Sequence, residues 1–418
     1  MAHILVFDLP GGNDFAVLED ALELGHQVTL CTNNLAHYAQ LGEEALQQLS
    51  RLTGIVEVPD FDEEILLNRL EERHAKSPFH AVICLLDIRL LAASRVAQRL
   101  GLKFLSPDVV KLTRNKTAVR ARLKERGIAQ PGFAQAASPA ELIAALEKTG
   151  YPAIVKPSDG YGSESLFYLE TADDLASVQE KLFSDETGID YGLGVRSNRL
   201  YSVEPYARGQ LIGVDVFSDG ATRLMLGINE KKMFPPPSFA IAGSCFPTAN
   251  LDFQKVQAFA FSVLDALDFD FGAAHIEIIA QDGQFYLVEV NARLVSAQIP
   301  YQMAYAFERS IYADLIDLHL GVPVEQLEPF KREAFSVIRW VIAKEPGKLE
   351  VLDFPEVNDP NIRRIAVFKN VGDRVSPPLA NADRIAYIIA AASTEAEATR
   401  SAENYVNHVQ MRIAPCTP

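Results

Sequence analysis

The stretch from Gly272 to Arg293 constrains this chain most. An apolar run leads into Gln281-Asp282-Gly283-Gln284 and a second apolar run follows, the pattern of a β-hairpin. Two glutamates interrupt the apolar runs, Glu277 and Glu289, and Asn291 and Arg293 follow at strand spacing. Side chains two apart share a face of a strand, so Glu289, Asn291 and Arg293 form one polar stripe for as long as the strand runs on. Whether Glu277 joins it depends on the turn. A two-residue Asp-Gly turn pairs Gln281 with Gln284 and puts the glutamates on opposite faces. A three-residue loop, 281–283 with Gly283 left-handed, pairs Ala280 with Gln284 and makes them diagonal neighbours. The three-residue loop is the expectation here. Two unpaired carboxylates on a half-buried sheet repel each other and lose hydration. A divalent cation removes that cost, and two carboxylates with an Asn oxygen suit Mg²⁺. The competing reading is a solvated strand face with incidental acids.

The chain has 418 residues, 48% of them hydrophobic, enough for two or three domains with proper cores. Its net charge of −16 is spread out and leaves no basic stripe, which argues against a nucleic-acid partner. Four cysteines, Cys31, Cys84, Cys245 and Cys416, lie far apart without metal-ligand spacing, as expected of reduced thiols in a cytoplasmic protein. The first residues read as a strand and a turn rather than a signal peptide, and no apolar run approaches the ~20 residues that span a membrane.

Residues 1–110 read as an α/β domain: strands at His3-Asp8, Gln27-Cys31 and Ala81-Leu86, with helices between and after them. Pro10-Gly11-Gly12 lacks GxGxxG and a following acidic strand end, so a plain turn is favoured over a dinucleotide site. Asp87 closes a buried strand at the sheet edge where α/β proteins bind ligands. A helix N-cap is the favoured role there and a substrate contact the other. From Val110 a helix rich in Lys and Arg runs to Gly127. Lys116 in its first turn meets either solvent or an anion, because a cation there opposes the helix dipole. Ala153-Ile154-Val155-Lys156-Pro157 is a strand with a terminal lysine, and Gly160, Gly162, Ser163 and Ser165 follow in a loop able to fold its amides over phosphate. Residues 200–217 read as two strands broken at Arg208-Gly209-Gln210. Residues 223–250 hold a long, Pro-rich connection read as mobile, in which Lys231 and Lys232 could reach phosphate or substrate. One helix is expected over about Ile299–Leu320, and residues 333–418 read as a small α+β cap.

Lys116, Ile154-Val155-Lys156-Pro157, the Gly160–Gly162 loop, Val203-Glu204-Pro205-Tyr206, Glu277 and Glu289-Val290-Asn291-Ala292-Arg293 come in the order found in the ATP-grasp carboxylate–amine ligases, which the chain resembles over nearly its whole length. Asn291-Ala292-Arg293-Leu294, then Gln298-Ile299-Pro300 and Gly321-Val322-Pro323, are most similar to the L-amino-acid ligases, which make dipeptides. The resemblance implies a multidomain α/β and α+β architecture. Its parts are a Rossmann-like pre-ATP-grasp domain (1–110), an ATP-grasp nucleotide-binding domain (111–325, small lobe about 125–207) and a C-terminal domain like that of biotin carboxylase (326–418).

It also implies roles. Lys116 and Lys156 hold the α- and β-phosphates of ATP, and Gly160, Gly162 and Ser163 cover the β- and γ-phosphates. The main chain from Glu204 through Tyr206 to Ala207 reads adenine. Glu277, Glu289 and Asn291 hold two Mg²⁺ (or Mn²⁺) ions, and Arg293 and Lys231 serve catalysis. Asp87, His275 and Arg293 are candidates to line the substrate. The implied reaction activates an amino-acid carboxylate as an acyl phosphate and joins it to an amine, giving a dipeptide, ADP and phosphate, in a cytoplasmic homodimer with no membrane partner. A purine-pathway or carboxylase-type ligase, or a non-catalytic nucleotide-binding homologue, is the alternative. Two departures stand out. The acid that often contacts the ribose falls near Gln210-Leu211, where neither residue is acidic, and the Gly-Gly that commonly follows Asn-x-Arg-Leu is Val295-Ser296.

Overall fold

The computed structural model describes residues 1–9, 14–160, 166–184, 196, 198–327 and 330–415. Pro10-Gly11-Gly12, Gly162, Ser163, Ser165 and Cys416 lie outside the described residues. The first sheet is parallel: β1 (His3–Phe7), β2 (Gln27–Thr32), β3 (Gly54–Glu57) and β4 (Ala81–Cys84) stand in the order β3-β2-β1-β4. β1 and β4 are buried along their whole length, as strands covered on both faces must be.

The second sheet is small and antiparallel. It orders β5 (Ala134–Ala136), β6 (Ala153–Pro157), β7 (Phe167–Leu169) and β8 (Tyr201–Pro205) as β5-β8-β6-β7. Strands β9 (Gln210–Ser218), β10 (Arg223–Met233), β11 (Ile241–Phe246), β12 (Gly272–Gln281), β13 (Gln284–Asn291), β14 (Phe335–Val341), β15 (Gly347–Asp353), β16 (Ile362–Val367), β17 (Arg374–Val375), β18 (Ala386–Ala392) and β19 (Gln410–Pro415) complete the fold. Eight of them form one sheet, β13-β12-β9-β10-β11-β14-β18-β16. Three strands of the C-terminal part thus extend the hairpin's own sheet, and only β17-β15-β19 stands apart.

The hairpin corrects the expected register. Gln281 pairs with Gln284 across a two-residue turn, with Asp282 and Gly283 both at positive φ. Taken alone this would split the glutamates. A β-bulge at Val288 adds one residue to β13, so Ile278 faces Leu287 while Glu277 faces Glu289 and His275 faces Asn291. The other face stays apolar across the bulge: Ile276, Ile278, Leu287 and Val290 pack with Val256, Ala260 and Val263 of the helix Phe253–Ala266. Burial of that face fixes the register, because a slip would drive Glu277 or Glu289 into it.

Three other expectations change. The basic helix is two helices, Pro107–Thr113 and Lys116–Glu125, and Asn115 caps the second by accepting the Ala118 amide at 3.0 Å. The helix after the hairpin breaks at Glu308, in the left-handed region, into Ile299–Phe307 and Ile311–His319. The Pro-rich connection is mostly strand: residues 223–233 and 241–246 are β10 and β11, and 234–240 and 247–250 are irregular.

A left-handed Asp282 is the mark of the two-residue turn. Asp282→Val should lower stability by about 1–2 kcal/mol, read from urea unfolding, while Asp282→Gly should leave it unchanged or raised.

Candidate functional site

Glu277 and Glu289 face each other on neighbouring strands, on the face away from the helix Phe253–Ala266. Directly opposed side chains sit roughly 4.5–5.5 Å apart at Cβ. Each carboxylate is met by an ammonium. Lys231 Nζ on β10 donates to Glu277 at 2.5 Å, and Lys116 Nζ lies 3.0 Å from Glu289 Oε1. Lys231 reaches across β9 because Gly213 lies between: a Cβ at 213 would stand 3.2 Å from Lys231 Cε and 2.8 Å from His275 Cε1. Burial pushes the Glu277 carboxyl up, but Lys231 and His275 together pull it well below the usual carboxylate range.

His275 lies beside this pair. Its Nδ1 is 3.0 Å from Asp215 Oδ2 and its Nε2 is 3.4 Å from Lys231 Nζ. The buried Asp215 also accepts the Val295 amide at 2.9 Å, which fixes the start of the segment where glycines were expected. Burial disfavours imidazolium, yet the Asp215 carboxylate outweighs it and raises the His275 pKa.

Lys116 sits at the first position of its helix, where the dipole opposes a cation. Besides Glu289 it meets the Gly160 carbonyl, tying the start of the glycine loop to β13. Arg114 donates to the Asp159 carbonyl at 2.8 Å and lies 4.0 Å from Asp87. Asp87 does stand at the edge of the parallel sheet, but it caps no helix: its buried carboxylate accepts from Arg293 Nε at 2.7 Å and from Arg293 Nη2. Burial raises the Asp87 pKa, and Arg293 and Arg114 overturn that and hold it low.

A cavity of about 210 Å³ opens between the small sheet and the hairpin sheet. Ile154 and Tyr206 form one wall and Leu211, Ile279 and Phe234 the other, an apolar slot with Lys156 and Glu277 at its margin. Glu204 and Ala207 line it too. The Tyr206 amide is already used, donating to the Pro152 carbonyl at 2.9 Å. The Glu204 side chain is committed as well: it accepts from Arg120 (2.8 and 3.2 Å) and Ser202 (2.8 Å) and lies 3.1 Å from Lys156. Burial favours its neutral form, yet Arg120 and Lys156 bring its pKa down to about 2. Burial lowers the Lys156 pKa, with Arg120 adding to the effect and Glu204 opposing it. At the expected ribose position Gln210 donates to the Lys231 carbonyl at 2.8 Å.

Glu277, Glu289 and Asn291 offer only hard oxygen donors on one sheet face, a set that fits Mg²⁺ with phosphate oxygens and water in the remaining positions. Among the described residues no cluster of three or more His, Cys, Asp or Glu forms an all-protein cage. Nor is any helix among them long and apolar enough to cross a membrane.

Sequence reasoning missed Arg120 and Asp215. Arg120 lies one helical turn after Lys116 on the same face, and Asp215 is a lone acid in an apolar strand. The second signal is the one that singled out Glu277.

Three family models match the chain: an ATP-grasp N-terminal domain over residues 18–103, an ATP-grasp domain over 113–297, and an L-amino acid ligase C-terminal domain 2 over 339–414. Uncharacterized protein y4rH of Sinorhizobium fredii is 26% identical over 337 residues, covering 77% of this chain and 66% of that relative's length. The L-amino acid ligase of Bacillus licheniformis shares the fold with a TM-score of 0.81 at 19% identity, over 99% of each chain. The biotin carboxylase domain of Hydrogenobacter thermophilus 2-oxoglutarate carboxylase, solved with MgADP, ADP and bicarbonate, gives 0.71 at 16% identity, over 99% of this chain and 91% of that one.

Arg120 is 1% exposed, and its removal takes away the two guanidinium hydrogen bonds of the buried Glu204 carboxylate and leaves Lys156 as its remaining cation among the described residues. Arg120→Ala should cost about 3–5 kcal/mol of stability. The Glu204 pKa falls from 4.5 unfolded to about 2 folded, so its contribution is complete above 4.5 and is lost as pH drops toward 2. Urea unfolding between pH 6 and pH 2.5 should show that loss in the parent chain, and a smaller loss in Glu204→Gln.

Proposed function

We propose, for a chain that belongs to the ATP-grasp family of ATP-dependent carboxylate–amine ligases, that it activates an amino-acid carboxylate and joins it to the amine of a second amino acid. The observation that carries this reading is the opposed pair Glu277–Glu289, flanked by Lys116 and Lys231 and set at the margin of an apolar slot sized for a base. The match of residues 339–414 to an L-amino acid ligase domain supports a dipeptide product.

The first step joins two anions. A carboxylate oxygen attacks the γ-phosphorus of ATP, an acyl–O–P bond forms, and the β,γ-bridging bond breaks to release ADP. Lys116, Lys156 and Arg293 lower the repulsion by bringing positive charge to a site where water is scarce. Glu277, Glu289 and Asn291 would hold the divalent cations, two in this proposal, which supply further neutralisation of the phosphoryl oxygens. Lys231 favours the ionised form of Glu277, and Lys116 holds Glu289 in place. The second step forms the C–N bond. The neutral amine attacks the acyl carbon, the acyl–oxygen bond breaks, and the nitrogen's proton passes to the departing phosphate, which leaves as hydrogen phosphate. Arg293, held by Asp87, steadies the acyl phosphate through its remaining N–H groups.

Phosphate release should be measured across a matrix of amino-acid pairs, with mass spectrometry of the products. A dipeptide mass appearing together with ADP is the expected result, and Glu289→Ala should reduce turnover at least 100-fold while leaving the protein folded. Phosphate release with a condensed product in no well would overturn the dipeptide assignment.

A further inference from the structure

The face of the large sheet that carries Lys231 continues past the nucleotide slot into a second polar cluster. Lys231 pairs with Ser244 on β11, Ser244 pairs with Ile338 on β14, and Trp340 lies two residues farther on the same face. The spacings put the Trp340 backbone on the order of 12 Å from that of Lys231. The Arg384 guanidinium lies over the Trp340 ring, 3.5 Å from its centroid. Tyr387 is opposite Trp340 on β18, and Arg364 on β16 donates to its hydroxyl at 3.0 Å and covers the ring of Tyr301.

This cluster is positive, and among the described residues the carboxylate nearest its edge, Asp14, is bound to the Tyr301 hydroxyl at 2.8 Å rather than to either arginine. Arg384 is 7% exposed, yet among the described residues it donates only to two main-chain carbonyls, Asn381 (2.8 Å) and Ile241 (3.3 Å). Neither Arg384 nor Arg364 has a carboxylate partner among the described residues, in a chain with 55 acidic residues against 39 Lys and Arg. The buried Trp340 indole N–H has no acceptor among the described residues either. Burial lowers the Arg384 pKa to about 9. A buried guanidinium normally has a bidentate acid, and a cation–π contact replaces only part of its lost hydration.

The cluster also borders the nucleotide slot. Ser238 and Phe239, which line the slot, bond to the Pro378 and Leu379 carbonyls just ahead of Arg384. Resting on the ligase reading above, we infer that Arg384 and the Trp340 indole N–H, with Arg364 beside them, form a subsite for a substrate carboxylate other than the one being activated. The activated carboxylate belongs at Arg293 and the glutamate pair. A second carboxylate enters the reaction either as the main-chain carboxylate of the amine-bearing amino acid or as an acidic side chain.

The test is calorimetry on the full chain saturated with Mg²⁺ and a non-hydrolysable ATP analogue. The probes are L-alanine against L-alaninamide for the main-chain source, and L-aspartate against L-asparagine and L-glutamate against L-glutamine for the side-chain source. In at least one pair the carboxylate member should bind 10-fold or more tightly. Arg384→Met should abolish that preference, Arg384→Lys should keep part of it, and Trp340→Phe should weaken it several-fold, all with unchanged affinity for the ATP analogue. Should Arg384→Met fail to fold, Trp340→Phe and Arg364→Gln carry the same comparison. Equal binding of both members of every pair, or a preference that survives these substitutions, overturns the subsite. Carboxylate-selective binding without any condensed product would instead count against the ligase reading and leave the subsite standing.

Discussion

Two carboxylates facing each other across a β-ladder set the terms for the rest of this structure. At such separations like charges repel by several kcal/mol once partly removed from water, so Glu277 and Glu289 are tolerated only with positive charge brought to them. Lys231 arrives from two strands away and Lys116 from a helix terminus that disfavours cations. The missing side chain at Gly213 opens the path for Lys231. The bulge at Val288 makes the two acids meet, and the apolar face beneath keeps the bulge in register.

The compensation spreads outward as a chain of buried ion pairs, each joining segments distant in sequence. Arg293 leaves the hairpin and ends on Asp87 at the edge of the parallel sheet. Arg120 spans from its helix to Glu204 in the small sheet and to the Leu287 and Val288 carbonyls of β13. The bulge is therefore held by a guanidinium as well as by its ladder. These pairs are costly to desolvate and weak as sources of net stability. What they provide is a fixed geometry of charge around the slot, the kind of preorganisation that favours phosphoryl transfer.

Much of this was legible in the sequence because charge inside an apolar run is a strong signal. Glu277, Glu289, Lys156 and Asp87 all announced themselves that way, and the order of the segments carried the fold class. The same-face placement of the glutamates was expected for the wrong reason: a three-residue loop was invoked where a two-residue turn and a bulge act together. A bulge at Val288 leaves no residue signature, since valine belongs in any strand. Partners across the fold were equally hidden. Nothing local to Glu204 indicates that its carboxylate belongs to Arg120, nor does anything near Asp87 point to Arg293. The breaks at Asn115 and Glu308 were missed because both flanks of each are good helix, and one capping side chain or one left-handed residue decides the matter.

The central claim is that the opposed glutamates, with Asn291, bind divalent cation when nucleotide is present. Electron paramagnetic resonance of Mn²⁺ titrated into the protein with a non-hydrolysable ATP analogue tests it without any turnover. The account predicts protein-bound Mn²⁺ that depends on the analogue. Glu289→Gln, folded to the same unfolding midpoint, should weaken that binding 10-fold or more. Mn²⁺ binding of unchanged affinity in that variant would contradict the account.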